Sequence, residues 1–177
     1  MCNKRRTTVV YLKRSTMKNF LLGILVLTGL SSCLKGESGS TCSYDPCGIK
    51  APDSEIQAVQ SYLTTNTISA TQHCSGLFYT VDLPGSGATP TVCNYVTVNY
   101  EGRLTNGTVF DKTQPGSPAG FNLSSLIAGF KNGVPLIKTG GKITLYVPPS
   151  LGYGSQPQGT IPANSILIFN VELLNVQ

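Results

Sequence analysis

The residues able to do chemistry fall into two sets. Six cysteines (Cys2, Cys33, Cys42, Cys47, Cys74 and Cys93) and one histidine, His73, are the groups suited to redox or metal chemistry. No Cys-x-x-Cys occurs, and with a single histidine a zinc site would need unusual spacing. His73 therefore reads as a solvated or packed side chain, and no metal is expected. The second set is aromatic and aliphatic, with few polar groups: Tyr100, the pair Phe110–Asp111, Phe121, Leu126, Ile127, Phe130, Tyr153 within Gly-Tyr-Gly, Ile161 and Phe169. Singly, each has an ordinary reading: the aromatics as core, Asp111 as a turn acid, Tyr153 as loop packing. Gathered around one hollow, they would exclude water and leave very few donors and acceptors. That suits binding, or a reaction that needs no nucleophile and no proton shuttle.

The elements that must position this set can be read from periodicity. Val96, Val98 and Tyr100 alternate with Thr97, Asn99 and Glu101, as in a half-buried strand. Asn106-Gly107 then predicts a type I′ hairpin, which needs positive φ at both positions. Ile143, Leu145 and Val147 share one face of a later strand. Leu167, Phe169, Val171 and Leu173 share a face of the last one, with Asn170 and Glu172 opposite. A short helix follows Phe121, and Pro135 ends or kinks it early. Upstream, Ile56, Val59, Tyr62 and Leu63 form the apolar stripe of a helix capped by Asp53 or Ser54 and ending near Asn66. This helix reads as a spacer packed on the domain, the sharper alternative being a dimerising or substrate-gripping arm. The expected class is α+β, an antiparallel, strongly twisted sheet wrapped around one short helix and preceded by an N-terminal helix.

Taken in order, VNYEGRL, NGTVFD, the helix segment, LGYG and LIFNVELL resemble the FKBP-type peptidyl-prolyl cis-trans isomerases. The resemblance covers roughly the last 100 residues. It implies no cofactor, no nucleic acid, and proline-containing unfolded or nascent exported polypeptides as partners. It implies a pocket floored by Phe130, walled by Tyr100, Phe110 and Phe169, and completed by Phe121, Leu126 and Ile161. The catalytic groups implied are Asp111, Tyr153 and the backbone amide of Ile127. An alternative on the same fold is a catalytically weak, chaperone-like polypeptide-binding module. A third is an envelope lipoprotein in which the fold is only scaffold. The chain departs from the family pattern where Phe130 replaces the usual tryptophan and Leu123 a second phenylalanine. The Ser155–Thr160 loop is also about one residue shorter and has no histidine.

The front of the chain speaks to location. Residues 1–32 carry six of the 13 Lys and Arg and no acid, so the remainder holds seven bases against eight acids, a net charge of about −1. The basic balance belongs to this segment and leaves no footprint for nucleic acid. Phe20–Leu30 is apolar but too short to span a bilayer of roughly 30 Å. Behind a cationic stretch it reads as the core of a signal segment, with Met17 as a possible start. Leu30-Ser31-Ser32-Cys33 resembles the bacterial lipobox, which implies lipid on Cys33, the alternative being an ordinary signal ending in an A-x-A-like site. Leu34 after it favours the outer membrane by resemblance to lipoprotein sorting, facing periplasm or cell surface. The expected organisation is a signal segment at 1–32, a lipidated tether at 33–52, a helical spacer at 53–73 and the isomerase-like domain at 74–177. Cys42, Cys47, Cys74 and Cys93 remain for two disulfides with three possible connectivities. Cys42–Cys47 with Cys74–Cys93 is preferred because it closes short loops.

Overall fold

A computed structural model describes residues 42–177. The signal segment, Cys33 and the first part of the tether lie outside the described residues. Among those described, no helix is long and apolar enough to cross a membrane.

A seven-stranded antiparallel sheet carries the domain. Its strands are β1 (Thr71–Gln72), β2 (Phe78–Leu83), β3 (Tyr95–Leu104), β4 (Val109–Lys112), β5 (Ala119–Asn122), β6 (Lys142–Val147) and β7 (Leu167–Val176). The order is β1-β2-β6-β7-β3-β4, with β5 also pairing with β3. The two ten-residue strands lie side by side at the centre, in register from Leu104 against Leu167 to Val96 against Val176 with one bulge. β1 already joins the sheet by pairing with β2, so the sheet begins ahead of residue 74.

Period-two alternation separates two cores. Ile143, Leu145 and Val147 of β6 and Leu167, Phe169, Val171 and Leu173 of β7 bury one face against the short helix α2 (Ala128–Gly133). Gly129 and Gly133 let this helix lie close: a Cβ on the first would sit 2.7 Å from the Val147 side chain and on the second 2.5 Å from that of Leu145. Past Gly133 the chain tightens into a 3-10 turn, Val134–Leu136, because Pro135 cannot continue the α-helical bonding. The residues pointing the other way, Tyr146 and Ile168, meet the upstream helix α1 (Asp53–Thr65). Val59 and Leu63 of that helix are 0 % and 1 % exposed against Phe78, Tyr146 and Ile168. The sheet is therefore covered on both faces, with one short helix on each.

Three sequence-based expectations are corrected. The upstream helix starts at Asp53 after Pro52, and neither Asp53 nor Ser54 caps it with a side-chain hydrogen bond. The β3–β4 turn is not type I′. Gly107 alone has positive φ (87°), Gly107 N–H donates to Leu104 O and Leu104 N–H to Thr108 O. That is a three-residue loop closed by a left-handed glycine, with Asn106 Oδ1 accepting from Thr108 N–H at 3.0 Å instead of Asn106 itself turning left-handed. The disulfides are Cys42–Cys93 and Cys47–Cys74, closing 51 and 27 residues, not the two local loops. Loop-closure cost rises only slowly with length, so local closure is a weak preference that a few tertiary contacts override. Those contacts are visible. The strap of residues 42–50 is held where Ala51 N–H donates to Ser75 O (2.9 Å) and Tyr44 Oη donates to Asn132 Oδ1 on α2 (2.8 Å). Cys47 is thereby brought to the turn after β1, and Cys42 to the segment before β3.

Candidate active site

Between the concave side of β3–β4, the start of α2 and the loop after β6 lies a hollow of about 130 Å³. Its lining is Tyr100, Phe110, Asp111, Phe121, Leu126, Ile127, Phe130, Tyr153 and Phe169. A cavity of roughly 150 Å³ accommodates a benzene ring, so this one is sized for a single ring and not for an extended ligand.

Each wall has a local cause. Phe130, one turn into α2, is 6 % exposed and forms the floor. Its ring meets Phe169 edge-on at 4.8 Å and Tyr100 at 6.4 Å. Phe110 stands edge-on to Phe169 at 5.5 Å, and Phe121 to Tyr100 at 6.1 Å. Edge-to-face pairs of this kind are each worth about 0.5–1.5 kcal/mol beyond burial, so the aromatic cage stiffens itself. Gly102 makes the closure possible. A Cβ there would lie 2.6 Å from the Phe110 ring and 2.8 Å from the Phe169 ring. A glycine inside a strand pattern signals such a close approach, and Gly102 within VNYEGRL is a site residue that aromatic patterning alone passes over.

The polar groups are few. Tyr100 on β3 donates its hydroxyl to Asp111 Oδ2 on β4 at 2.5 Å. Burial, the bond to Asp111 and that carboxylate's charge push the Tyr100 hydroxyl well above its ordinary value. Burial and Asp111 likewise raise Tyr153. Both phenols are therefore neutral donors throughout the physiological range. Tyr153 is still 41 % exposed, at the rim of the hollow. Ile127 is the N-cap of α2, where its carbonyl accepts from Phe130 and Lys131, and its own N–H is paired with no described residue. Such amides at a helix start have no intrahelical acceptor.

Nine of the ten predicted site residues meet here. Ile161 does not. It is 7 % exposed in the main core and borders an adjoining groove with Phe110, Asp111, Tyr153 and Gln158–Thr160. The bridge Gln158–Ile161 turns the chain back on itself there. One contributor has no local sequence signal. Glu55, in the first turn of α1, accepts from Ser150 N–H at 2.8 Å through Oε2. Ser150 lies in the 3-10 turn Pro149–Leu151 that leads into Tyr153. The upstream helix thus holds the loop carrying the rim tyrosine, across 95 residues of sequence.

Comparison with known proteins agrees with this geometry. Residues 87–174 match the family model described as FKBP-type peptidyl-prolyl cis-trans isomerase. The chain is 48 % identical over 105 residues to FkpA of Buchnera aphidicola, covering 58 % of this chain and 42 % of that one. It is 48 % identical over 105 residues to the isomerase Mip of Coxiella burnetii, covering 58 % and 46 %. The crystal structure of FkpA from Escherichia coli superposes with a TM-score of 0.64 at 37 % identity, covering 71 % of this chain and 60 % of that one. That of AtFKBP13 gives 0.57 at 31 % identity, covering 62 % and 99 %. The chain spans less than half the length of these curated relatives.

Proposed function

The chain belongs to the FKBP-type peptidyl-prolyl cis-trans isomerase family, and from that premise we propose that it catalyses rotation about X–Pro bonds in exported polypeptides while anchored to the bacterial outer membrane by lipid on Cys33. The observation that carries the reading is the convergence of nine residues on one ring-sized apolar hollow edged by four hydrogen-bonding groups, the Tyr100 and Tyr153 hydroxyls, the Asp111 carboxylate and the Ile127 N–H.

The barrier to the reaction is loss of amide resonance, about 18–20 kcal/mol. No covalent bond breaks, so the protein needs only to favour the twisted amide over the planar one. The proline ring seats on Phe130 between Tyr100, Phe110 and Phe169. The preceding carbonyl then leaves water for an apolar wall, which disfavours the polar planar form. The Ile127 N–H and the Tyr153 hydroxyl donate to substrate carbonyls and fix the chain on either side of the rotating bond. Asp111 holds the Tyr100 wall in place by accepting the hydrogen bond from its hydroxyl. The lipid anchor is supported by the apolar run Phe20–Leu30 and the Leu-Ser-Ser-Cys sequence ending at Cys33.

Isomerisation of a short X–Pro peptide followed by NMR exchange tests the assignment, with the chain's disulfides formed. Wild type should accelerate exchange, and Phe130→Ala, Asp111→Ala and Tyr153→Phe should each reduce the acceleration while remaining folded. No acceleration, with shift changes around Tyr100 and Ile127 on adding peptide, would replace the enzyme by a binding module. No signal of either kind would leave a scaffold. Mass spectrometry of the membrane-bound protein, against Cys33→Ser, tests the anchor.

A further inference from the structure

The floor of the hollow rides on a helix too short to hold itself. α2 has six residues, and Gly129 and Gly133 are among them; isolated helices below about 12 residues are marginal in water. Its place is therefore set by what packs against it. On the sheet side that is Leu145 and Val147, an apolar contact that fixes distance but has no direction. On the strap side it is Tyr44, whose hydroxyl donates to Asn132 Oδ1 at 2.8 Å across 88 residues of sequence. Building on the isomerase reading of the hollow, we infer that Tyr44 is a positioning residue for the reaction: through Asn132 it sets the rotation of α2, and with it Phe130 and the Ile127 N–H.

Asn132 is 2 % exposed, and its Nδ2 has no partner among the described residues. The Tyr44 bond is thus the side-chain hydrogen bond on which this buried amide relies, and breaking it leaves both its polar atoms unsatisfied. Phe130 and Asn132 are two residues apart, which on an α-helix is about 160° around the axis and about 3 Å along it. They face opposite ways, Phe130 into the hollow and Asn132 toward the strap. A rotation that slips Asn132 off Tyr44 therefore swings Phe130 through the same angle. With the ring roughly 5–6 Å from the axis, a turn of about 15° moves it about 1.5 Å. Phe130 meets Phe169 at 4.8 Å and Tyr100 at 6.4 Å, so such a shift spoils the cage. Misplacement of about 1 Å is enough to slow a reaction heavily.

The strap is a firm reference for this bond. Cys42–Cys93 and Cys47–Cys74 tie it to the domain on either side of Tyr44. Cys93 lies just ahead of β3, which carries Tyr100, so the strap and the hollow share one frame. Asp45 closes a turn, with Gly48 N–H donating to its carbonyl at 3.2 Å and Cys47 N–H to its Oδ1 at 2.9 Å. The Lys131 ammonium stands 5.7 Å from the Tyr44 ring centroid, a second hold on the same side chain. Burial first, and the Asp45 carboxylate next, raise the Tyr44 hydroxyl above its ordinary value, so it donates throughout the physiological range.

The test takes the full chain with its disulfides formed and compares wild type, Tyr44→Phe, Asn132→Leu and the double variant. Tyr44→Phe keeps the ring beneath Lys131 and removes only the donor. Catalysed X–Pro exchange should lose about 3- to 10-fold in kcat, the factor that one hydrogen bond carries, with KM within about twofold. Amide exchange at Phe130 and Lys131, whose N–H groups donate to Ile127 O, should quicken by a similar factor, and the Phe130 ring proton shifts should move. The double variant should match the single ones within about twofold, since each breaks the same bond. Where wild type catalyses, an unchanged kcat or an unchanged amide exchange in Tyr44→Phe overturns the assignment. So do losses that multiply in the double variant, a kcat that only tracks the folded fraction in urea, or a Tyr44→Phe chain that does not fold. Should Asn132→Leu not fold, Tyr44→Phe alone decides. Wild type that accelerates nothing ends the isomerase reading, and amide exchange and ring shifts then decide the role of Tyr44 separately.

Discussion

Removing the Tyr100–Asp111 hydrogen bond from either side should cost the same activity, and removing it from both sides should cost no more. The two residues sit across the β3–β4 pair, where Gly102 opposes Asp111, and the phenol donates to Oδ2 at 2.5 Å. A hydrogen bond to a charged group contributes about 1.5–3 kcal/mol. Asp111 is exposed, so solvent screens it and rehydrates the carboxylate in Tyr100→Phe, which places the effect nearer 1–1.5 kcal/mol. At about 1.36 kcal/mol per tenfold in rate, each of Tyr100→Phe and Asp111→Asn should lower kcat/KM about five- to twelve-fold. The double variant should fall within the same range, a coupling of about 1 kcal/mol. Kcat/KM would come from catalysed X–Pro exchange at several peptide concentrations, with urea midpoints of all four proteins to separate folding from catalysis. Multiplicative losses, about 30-fold or beyond in the double variant, would refute the reasoning. They would mean that Tyr100 and Asp111 act separately and that the bond between them orients nothing.

Three further outcomes follow from the structure. Glu55→Ala should release the Pro149–Leu151 turn, raising hydrogen exchange at the Ser150 amide about fivefold for a loss of about 1 kcal/mol. KM should rise more than kcat falls, and Glu55→Gln should restore most of both, which a purely packing role for the helix would not do. Cys42→Ser with Cys93→Ser frees a loop of 51 residues and Cys47→Ser with Cys74→Ser one of 27, so chain entropy predicts losses of about 4 and 3.5 kcal/mol in urea unfolding. The third concerns alkaline pH. Tyr100 and Tyr153 are raised above 10.0 in the folded state, so their contribution is complete below that pH and is lost as pH climbs through the folded values. Stability should therefore decline above pH 10.0 as tyrosinate absorbance appears, and Tyr100→Phe should flatten that decline.

Much of the domain was legible because its elements obey short-range rules. The alternation in Val96–Glu101 and Leu167–Leu173 has only one solution that buries the apolar set, and the strands take it. Pro135 marks the end of the α-helical turn through its missing N–H. The Asn106-Gly107 turn was misread because two turn types share that dipeptide, and the twist and register of β3 on β4 choose between them. Ile161 lies outside the hollow itself, 7 % exposed in the main core and bordering the adjoining groove beside Phe110, Asp111 and Tyr153.

The aromatic set that lines the hollow was legible through its resemblance to a family pattern; what the residues determined by themselves was the content of the sheet faces and the short helix. These follow from side-chain period and from backbone limits at proline and glycine, which act within a few residues. Tertiary structure alone decided the partners of Cys42 and Cys47, the tie from Glu55 to Ser150 and the bond from Tyr44 to Asn132. Each joins points 27 to 95 residues apart, where no local propensity acts. Their pairing depends on how the strap and α1 cross the outside of a finished sheet.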